Sequence, residues 1–404
     1  MIDAEDEVGD EIGQPSTGAD VVVVGAGLIG CAAALRLAAA GLSVVVVDRA
    51  PPGTESSWAA AGILGAQAEP HEPGLSLTLG VASRALFPAL AAELKDLCGL
   101  EIGLSYGTGV LDLAFEEKDL AGLRRKLAWQ REAGQEASWL DVAQARALGA
   151  PDHALGGLWL PGDGRVDPRL LVAALHAGAV RHGARFVRGE ALAVEERGGR
   201  VRGVRLAPAN GAGSVEAGSD AGGAQGVGVL LEGRHVVMAA GSWSGQIGLS
   251  GVPPGAVRPL RGQLIALPLP PGPVPPVLFA AGTPRGYLVP RGDRVIVGVT
   301  VEDVGFEKAV TPEGLAHLKN VTARLYRGPA PAPLDSWSGL RPGSRDGLPL
   351  LGAPKRGPEG LLVATGHHRN GVLLAPLTGL LVRDLVLGRA PGFDLSSLSP
   401  DRFA

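Results

Sequence analysis

DVVVVGAGLIGCAAALRLAAAGLSVVVVDR, residues 20–49, decides how this chain folds. Val21 to Val24 make an all-apolar strand of the kind covered on both faces. Gly25, Gly27 and Gly30 follow in G-x-G-x-x-G spacing, and a small-residue helix is expected over 28–40, with Gly41 as its stop. A second strand, over 44–47, ends at the acidic Asp48. This strand, turn, helix, strand order is the Rossmann fingerprint, and each residue type has a physical reason. Gly25 permits the tight turn, Gly27 lets a pyrophosphate approach the backbone, and Gly30 lets the helix lie close to the strand. The helix N-terminus offers free N–H groups and partial positive charge. Asp48 is placed to accept hydrogen bonds from an adenosine ribose, and its charge disfavours a 2′-phosphate. The stretch binds a dinucleotide, and FAD and NAD both satisfy it.

Outward from this unit, 404 residues leave room for two or three domains and a large core. A net charge of −4 implies no basic face, so neither nucleic acid nor an anionic membrane is an expected partner. No stretch reads as a membrane span of about twenty apolar residues. The two cysteines, Cys31 and Cys98, form no C-x-x-C, which leaves zinc or other metal and a disulfide framework unsupported and suits a reducing cytoplasm. Residues 1–18 carry six acidic side chains and no basic one, so they read as a disordered acidic tail and not as a signal peptide. Residues 207–228 are low in complexity and read as a flexible hairpin loop.

The pattern elsewhere predicts helices over 77–97, 116–133, 138–148, 169–182 and 312–326. It predicts strands over 103–115, 186–194 and 201–206, a strand pair from 229, a hairpin over 286–300, and a strand over 361–364. A long helix starts near Gly371. The fold class is therefore α/β: a discontinuous Rossmann-type FAD-binding domain (19–95, 160–250 and 340–404) plus a β-rich antiparallel substrate domain (96–159 and 251–339). Three glycine-containing elements, at 59–62, 239–241 and 366–371, suit close backbone approach to a bulky tricyclic ring. For the first of these, an ordinary tight helix start explains the pattern equally well. The last helix begins beside the third and can stabilise negative charge on a reduced ring. A flavin is favoured.

With these stretches quoted, the chain resembles the glycine oxidase branch of the D-amino-acid-oxidase-like flavoproteins, the type associated with thiamine biosynthesis. The matching motifs are VVVVGAGLIG, SSWAAAGILGAQAE, AAGSWSG, VRPLRGQ, YLVPRGDRVIVGVT, WSGLRPGSRDGLPLLG and GHHRNGVLLAPLTG. The resemblance implies non-covalent FAD and oxidation of glycine, sarcosine or a small D-amino acid. Oxygen and water would yield an α-keto acid, an amine and hydrogen peroxide. It further implies cofactor contacts at Leu28, Ile29, Asp48, Arg49, Ser56, Ser57, Ala61, Gly62, Ile63, Ala191 and Gly241. The run His367, His368, Arg369, Asn370, Gly371, Val372 and Leu373 belongs to the same set. Arg341 matches an arginine that anchors the substrate carboxylate, Arg369 a second substrate-side position, and Tyr287 an active-site tyrosine. A homotetramer is implied by the family alone.

The residues themselves carry a parallel reading. A carboxylate in a dry pocket calls for the planar, permanently charged arginine fork, which suits Arg341; a salt-bridged surface arginine is the bland alternative. Tyr287 can bond the carboxylate through its hydroxyl or serve as strand core. His367 and His368 suggest a general base, but hydride transfer to flavin needs none, so backbone and packing roles are preferred. Ile63 and Val301 stand where well-known members carry methionine, and Arg285 where a histidine is expected. No cysteine follows Cys98, so a C-terminal cysteinyl-flavin linkage cannot form. The alternatives are a D-amino acid or secondary-amine dehydrogenase with another electron acceptor, an NAD-dependent dehydrogenase, and a non-catalytic flavoprotein.

Overall fold

The computed structural model describes residues 18–208 and 228–404. Apart from their edge residues, the expected acidic tail and low-complexity loop lie outside the described residues.

Strand β1 (Ala19–Val24) leads into helix α1 (Leu28–Ala39) and strand β2 (Val44–Asp48). Val21, Val22 and Val23 are fully buried, and each such valine contributes about 2 kcal/mol by leaving water. β1 pairs in parallel with β2 and with Leu230–Met238, which pairs in parallel with Leu361–Thr365. On the other side β2 pairs in parallel with Arg185–Arg188. The cofactor-type sheet is thus assembled from the start, middle and end of the chain. Helix α1, Pro168–Arg181 and Gly371–Val386 cover one face and share a core with β1 and β2. The alanines of α1 let the last helix approach closely: a Cβ on Gly379 would stand 2.7 Å from the Ala32 carbonyl oxygen.

The second sheet is built from Asp335–Ser344, Val257–Pro268, Arg294–Gly298, Gly286–Arg291, Val277–Ala280, Val110–Leu113, Gly157–Leu160 and Ser138–Leu140, in that order. Its pairings are antiparallel except that Val277–Ala280 runs parallel to Val110–Leu113. The α/β class, with a Rossmann-type sheet and a β-rich one, is the architecture expected.

Several local expectations change. The helix expected over 138–148 is a strand, Ser138–Leu140, followed by a short helix, Val142–Ala147. Asp141 separates them by capping, its Oδ1 accepting from the Gln144 N–H at 2.8 Å. The strand expected over 186–194 is two, Arg185–Arg188 and Ala191–Arg197, broken where the Gly189 N–H bonds the Asp48 carbonyl. The strand pair from 229 is one strand, Leu230–Met238, which pairs with three neighbours: β1, Arg200–Leu206 and Leu361–Thr365. The stretch Leu75–Cys98 is long and apolar enough to cross a membrane by length and composition alone. It is two helices, Leu75–Ala85 and Phe87–Cys98, which meet at Leu86 with Pro88 opening the second. Both add buried side chains to the core around α1.

Candidate active site

A cavity of about 370 Å³ extends from the C-terminal ends of β1 and β2 to the face of the second sheet. At its nucleotide end, Gly25 has φ +108°, and a Cβ there would stand 2.5 Å from the Ala239 carbonyl oxygen. Gly27, Leu28 and Ile29 line the cavity, while Gly30 seats α1 against the turn, its missing Cβ leaving room for the Gly25 carbonyl. Ser57 Oγ accepts from the Leu28 N–H at 3.0 Å. The Ser56 hydroxyl donates to the Leu340 carbonyl, tying this end to the strand Asp335–Ser344. Asp48 lines the cavity, but its carboxylate is engaged by the backbone: Oδ2 accepts from the Ala26 N–H (2.7 Å) and Oδ1 from the Ala50 N–H (2.9 Å). It therefore holds the glycine turn in shape as well as facing the nucleotide end. Arg49 lies over the Trp243 ring at 4.2 Å, and Ala191 and Gly241 complete this wall.

Further in, α2 (Ser56–Ala59) leads through Ala61 and Gly62 into strand β3 (Ile63–Leu64). Gly62 sits at φ +90° beneath the Val166 carbonyl, a place no side chain could occupy. Across the cavity stand His367, His368, Arg369, Gly371 and Val372. The helix turns the remaining members of that run away: Asn370 does not line the cavity, and Leu373 is core, with its carbonyl accepting from Ser83 Oγ at 2.6 Å. His367 Nε2 lies 3.1 Å from Thr378 Oγ1 inside the protein, and burial lowers its pKa to about 3. Burial, with Arg341 and Arg369 nearby, lowers His368 to about 4. Neither histidine is a base near neutral pH. His368 Nε2 is buried with no hydrogen-bond partner.

Arg341, Tyr287 and Arg369 converge on the inner end. Arg341 Nη1 donates to the Thr300 carbonyl at 3.3 Å, and among the described residues no carboxylate pairs with it. Burial lowers its pKa, the mark of a cation held in a partly dry place without a counter-ion. Tyr287 is buried, which raises its pKa, while Arg341 and Arg369 beside it pull the other way. Arg369 grips Glu69 with both arms, Nε–Oε2 at 3.0 Å and Nη2–Oε1 at 3.2 Å. Burial pushes the Glu69 carboxyl up, but Arg369 and Arg285 outweigh it and hold it below the ordinary value.

Sequence reasoning missed the residues that make this geometry. A Cβ on Gly262 would stand 2.0 Å from Arg341 Nη1, and one on Gly298 would strike the Tyr287 ring at 2.5 Å. Both glycines lie within strands, and a glycine inside a strand pattern signals close approach by something else. Glu69, Leu264 and Val299 also line the cavity. Asp163, fully buried, presents Glu69 by accepting from the Gln67 and Ala68 N–H groups at 3.1 and 2.8 Å while pairing with Arg84. Of the three family departures only Ile63 lines the cavity; Val301 is 53% exposed, and Arg285 lies 3.1 Å from His71.

These residues fit a flavin dinucleotide. The glycine cradle rejects side chains where a pyrophosphate would approach, and two helix N-termini open on the cavity. The buried, unpartnered His368 Nε2 lacks the polar neighbour that a bound heterocycle would supply.

Known proteins agree with that fit. The family described as DAO, FAD dependent oxidoreductase, matches residues 20–385. The glycine oxidase of Geobacillus kaustophilus is 35% identical over 390 residues, covering 95% of this chain and 97% of that one. The bifunctional protein ThiO/ThiG of Synechocystis is also 35% identical, over 96% of this chain and 54% of that longer protein. The crystal structure of glycine oxidase from Geobacillus kaustophilus superposes with a TM-score of 0.82 at 33% identity, covering 94% of this chain and 98% of that one. That of iminodiacetate oxidase from Chelativorans sp. BNC1 gives 0.78 at 27%, with the same coverage. The chain belongs to the DAO family of FAD-dependent oxidoreductases, with FAD as its cofactor.

Proposed function

We propose that this protein is an oxidase of glycine-like amines, converting glycine, sarcosine or a small D-amino acid with oxygen and water to an α-keto acid, an amine and hydrogen peroxide. The observation that carries the reading is the unpaired, partly desolvated guanidinium of Arg341, flanked by Tyr287 and wedged over Gly262. A buried cation without a counter-ion destabilises the empty site and is matched when a carboxylate arrives in bidentate geometry. The Tyr287 hydroxyl can donate a second hydrogen bond to the same carboxylate. Arg369 is already neutralised by Glu69, so its part is to hold that wall and to keep net charge low beside the reacting carbon. Leu264, Val299 and Ile63 exclude water from the remaining surface.

Bound FAD supplies the hydride acceptor and the route of electrons to oxygen. Arg341 and Tyr287, by fixing the carboxylate, would set the orientation of the substrate Cα for that transfer. Hydride transfer needs the neutral amine; with both histidines held well below neutral pH, the substrate ammonium would release its proton to solvent before or on binding. The relatives named glycine oxidase support the substrate class. The ThiO/ThiG relative and the resemblance to the thiamine-associated branch support a role in supplying the thiazole of thiamine.

The test is an anaerobic visible spectrum before and after excess glycine. Bleaching that reverses on admitting air, with peroxide released, is the expected outcome. Bleaching by sarcosine or D-proline alone would move the substrate, and reversal by a quinone but not by air would make the enzyme a dehydrogenase.

A further inference from the structure

Behind the loop that walls the cofactor cavity lies a second cleft of about 570 Å³. Four arginines line it, Arg165, Arg169, Arg291 and Arg294, against two carboxylates, Asp167 and Asp335. The acids leave much of that charge unanswered. Arg165 has no carboxylate partner among the described residues and reaches only Thr108 Oγ1, at 3.4 Å. Arg169 stacks over the Trp58 ring at 3.7 Å and donates to the Trp58 carbonyl. Arg294 pairs with the solvent-exposed Asp293 outside the cleft. Asp167 Oδ2 stands 3.8 Å from Arg291 Nε, while its other oxygen caps the helix Pro168–Arg181. Burial disfavours the charged forms of Arg165, Arg169 and Arg291. Four forked donors around one partly dry cleft are the arrangement that recognises phosphate or carboxylate oxygens. Leu170 and Val274 at the rim, with the Trp337 indole inside, add apolar surface that suits an organic body more than a bare ion.

The cleft is joined to the cofactor cavity by a single layer of backbone. The carbonyls of four successive residues on that layer are each held from the cleft side. Trp337 Nε1 donates to Ala59 (3.1 Å), Arg291 Nη2 to Ala60 (2.7 Å) and Ala61 (2.9 Å), and the Val166 N–H to Gly62 (2.9 Å). Trp337, Arg291 and Val166 line the cleft; Ala59 to Gly62 line the cofactor cavity. A ligand that engages Arg291 competes with the Ala60 and Ala61 carbonyls for the same donors.

We propose that this cleft is a second ligand site, taking a small organic molecule that bears a phosphate or carboxylate, and that its occupancy is transmitted to the flavin through Ala59–Gly62. Its volume lies within the range of small-molecule sites, about 300–1,000 Å³.

The test uses FAD-loaded enzyme titrated with phenyl phosphate, with benzoate as the carboxylate arm and inorganic phosphate as the control for a bare anion. Binding is read by calorimetry, and its effect by the flavin absorption spectrum, neither of which depends on what substrate the enzyme oxidises. Saturable binding of phenyl phosphate or benzoate, with a shift in the flavin band, is expected. The double variant Arg165→Ser, Arg294→Ser should weaken it at least tenfold while leaving flavin content and substrate reduction rate unchanged. Affinity undiminished in that variant would place the probe beside Arg341 in the cofactor cavity and overturn the site. No saturable binding at 10 mM of either organic probe would overturn it too. Binding without a spectral change would overturn the transmission.

Discussion

Replacing Arg341 by methionine should lower activity and raise stability at once. The guanidinium sits in the cavity with one 3.3 Å bond to the Thr300 carbonyl and no paired carboxylate, and burial lowers its pKa. Removing one partner of a desolvated, hydrogen-bonded charge pair costs about 2–5 kcal/mol, or roughly 30- to 4,000-fold in kcat/KM. Because the carboxylate is held alike in ground and transition states, most of that loss should fall on KM. In the free protein the same change removes an unmatched buried cation, so the melting temperature should rise, which separates lost binding from failed folding. Arg341→Lys restores charge but not the fork and should recover activity only in part. The assay is anaerobic stopped-flow reduction of the flavin over a glycine series, beside titration with glycolate, which keeps the carboxylate and lacks the amine. Both ligands should weaken by the same factor. A kcat/KM within threefold of the parent, or an unchanged affinity for glycolate, would refute the role given to Arg341.

Gly25→Ala forces a Cβ to 2.5 Å from the Ala239 carbonyl at a φ of +108°, so the purified variant should carry little FAD; a flavin-to-protein ratio equal to the parent would contradict the cradle. Asp163→Asn leaves the buried Arg84 without its counter-charge and should cost about 3–5 kcal/mol, read as a lower urea midpoint with unchanged slope. Burial holds His367 and His368 at about 3 and about 4 in the folded protein, below their ordinary 6.5. The unfolded chain therefore binds protons first as pH falls. Their contribution is complete above about pH 6.5 and declines by up to ~1.4 kcal/mol per pH unit per histidine until each folded value is reached. A urea midpoint that stays flat between pH 7 and 5 would count against that burial. In the same range the rate of flavin reduction should follow the substrate amine and show no histidine step.

What could be read in advance was local. The run at residues 20–49 carries its own strand, turn and helix, and α1 ends one residue before the expected boundary. The lining of the candidate cavity was legible wherever a motif kept its residues side by side, as at Gly25 to Ile29 and His367 to Arg369. Glu69, Gly262 and Gly298 were not, because what they touch is supplied by strands distant in sequence. The slot at Gly262 exists only because Arg341 lies near it across the pairing of Leu260 with Arg341. Leu373 shows the converse: it adjoins the cavity residues in sequence, but two positions into a helix it faces Ser83. At residues 138–148 the apolar spacing allowed a helix, and tertiary pairing of Trp139 with Leu158 overrode it.

The parallel sheet joins its first strands to partners made much later, Leu230–Met238 and finally Leu361–Thr365. A ribosome adding about 5–20 residues per second spends roughly 20 to 80 seconds on these residues, and for most of that time the nucleotide cradle has only one wall. The residues that close over the ring emerge last. Loading with FAD is therefore a late event in biogenesis, and the colour of the protein reports that synthesis has run past Val372. Chains cut short before that point would stay colourless, and those ending before Leu230 would also leave one edge of β1 unpaired.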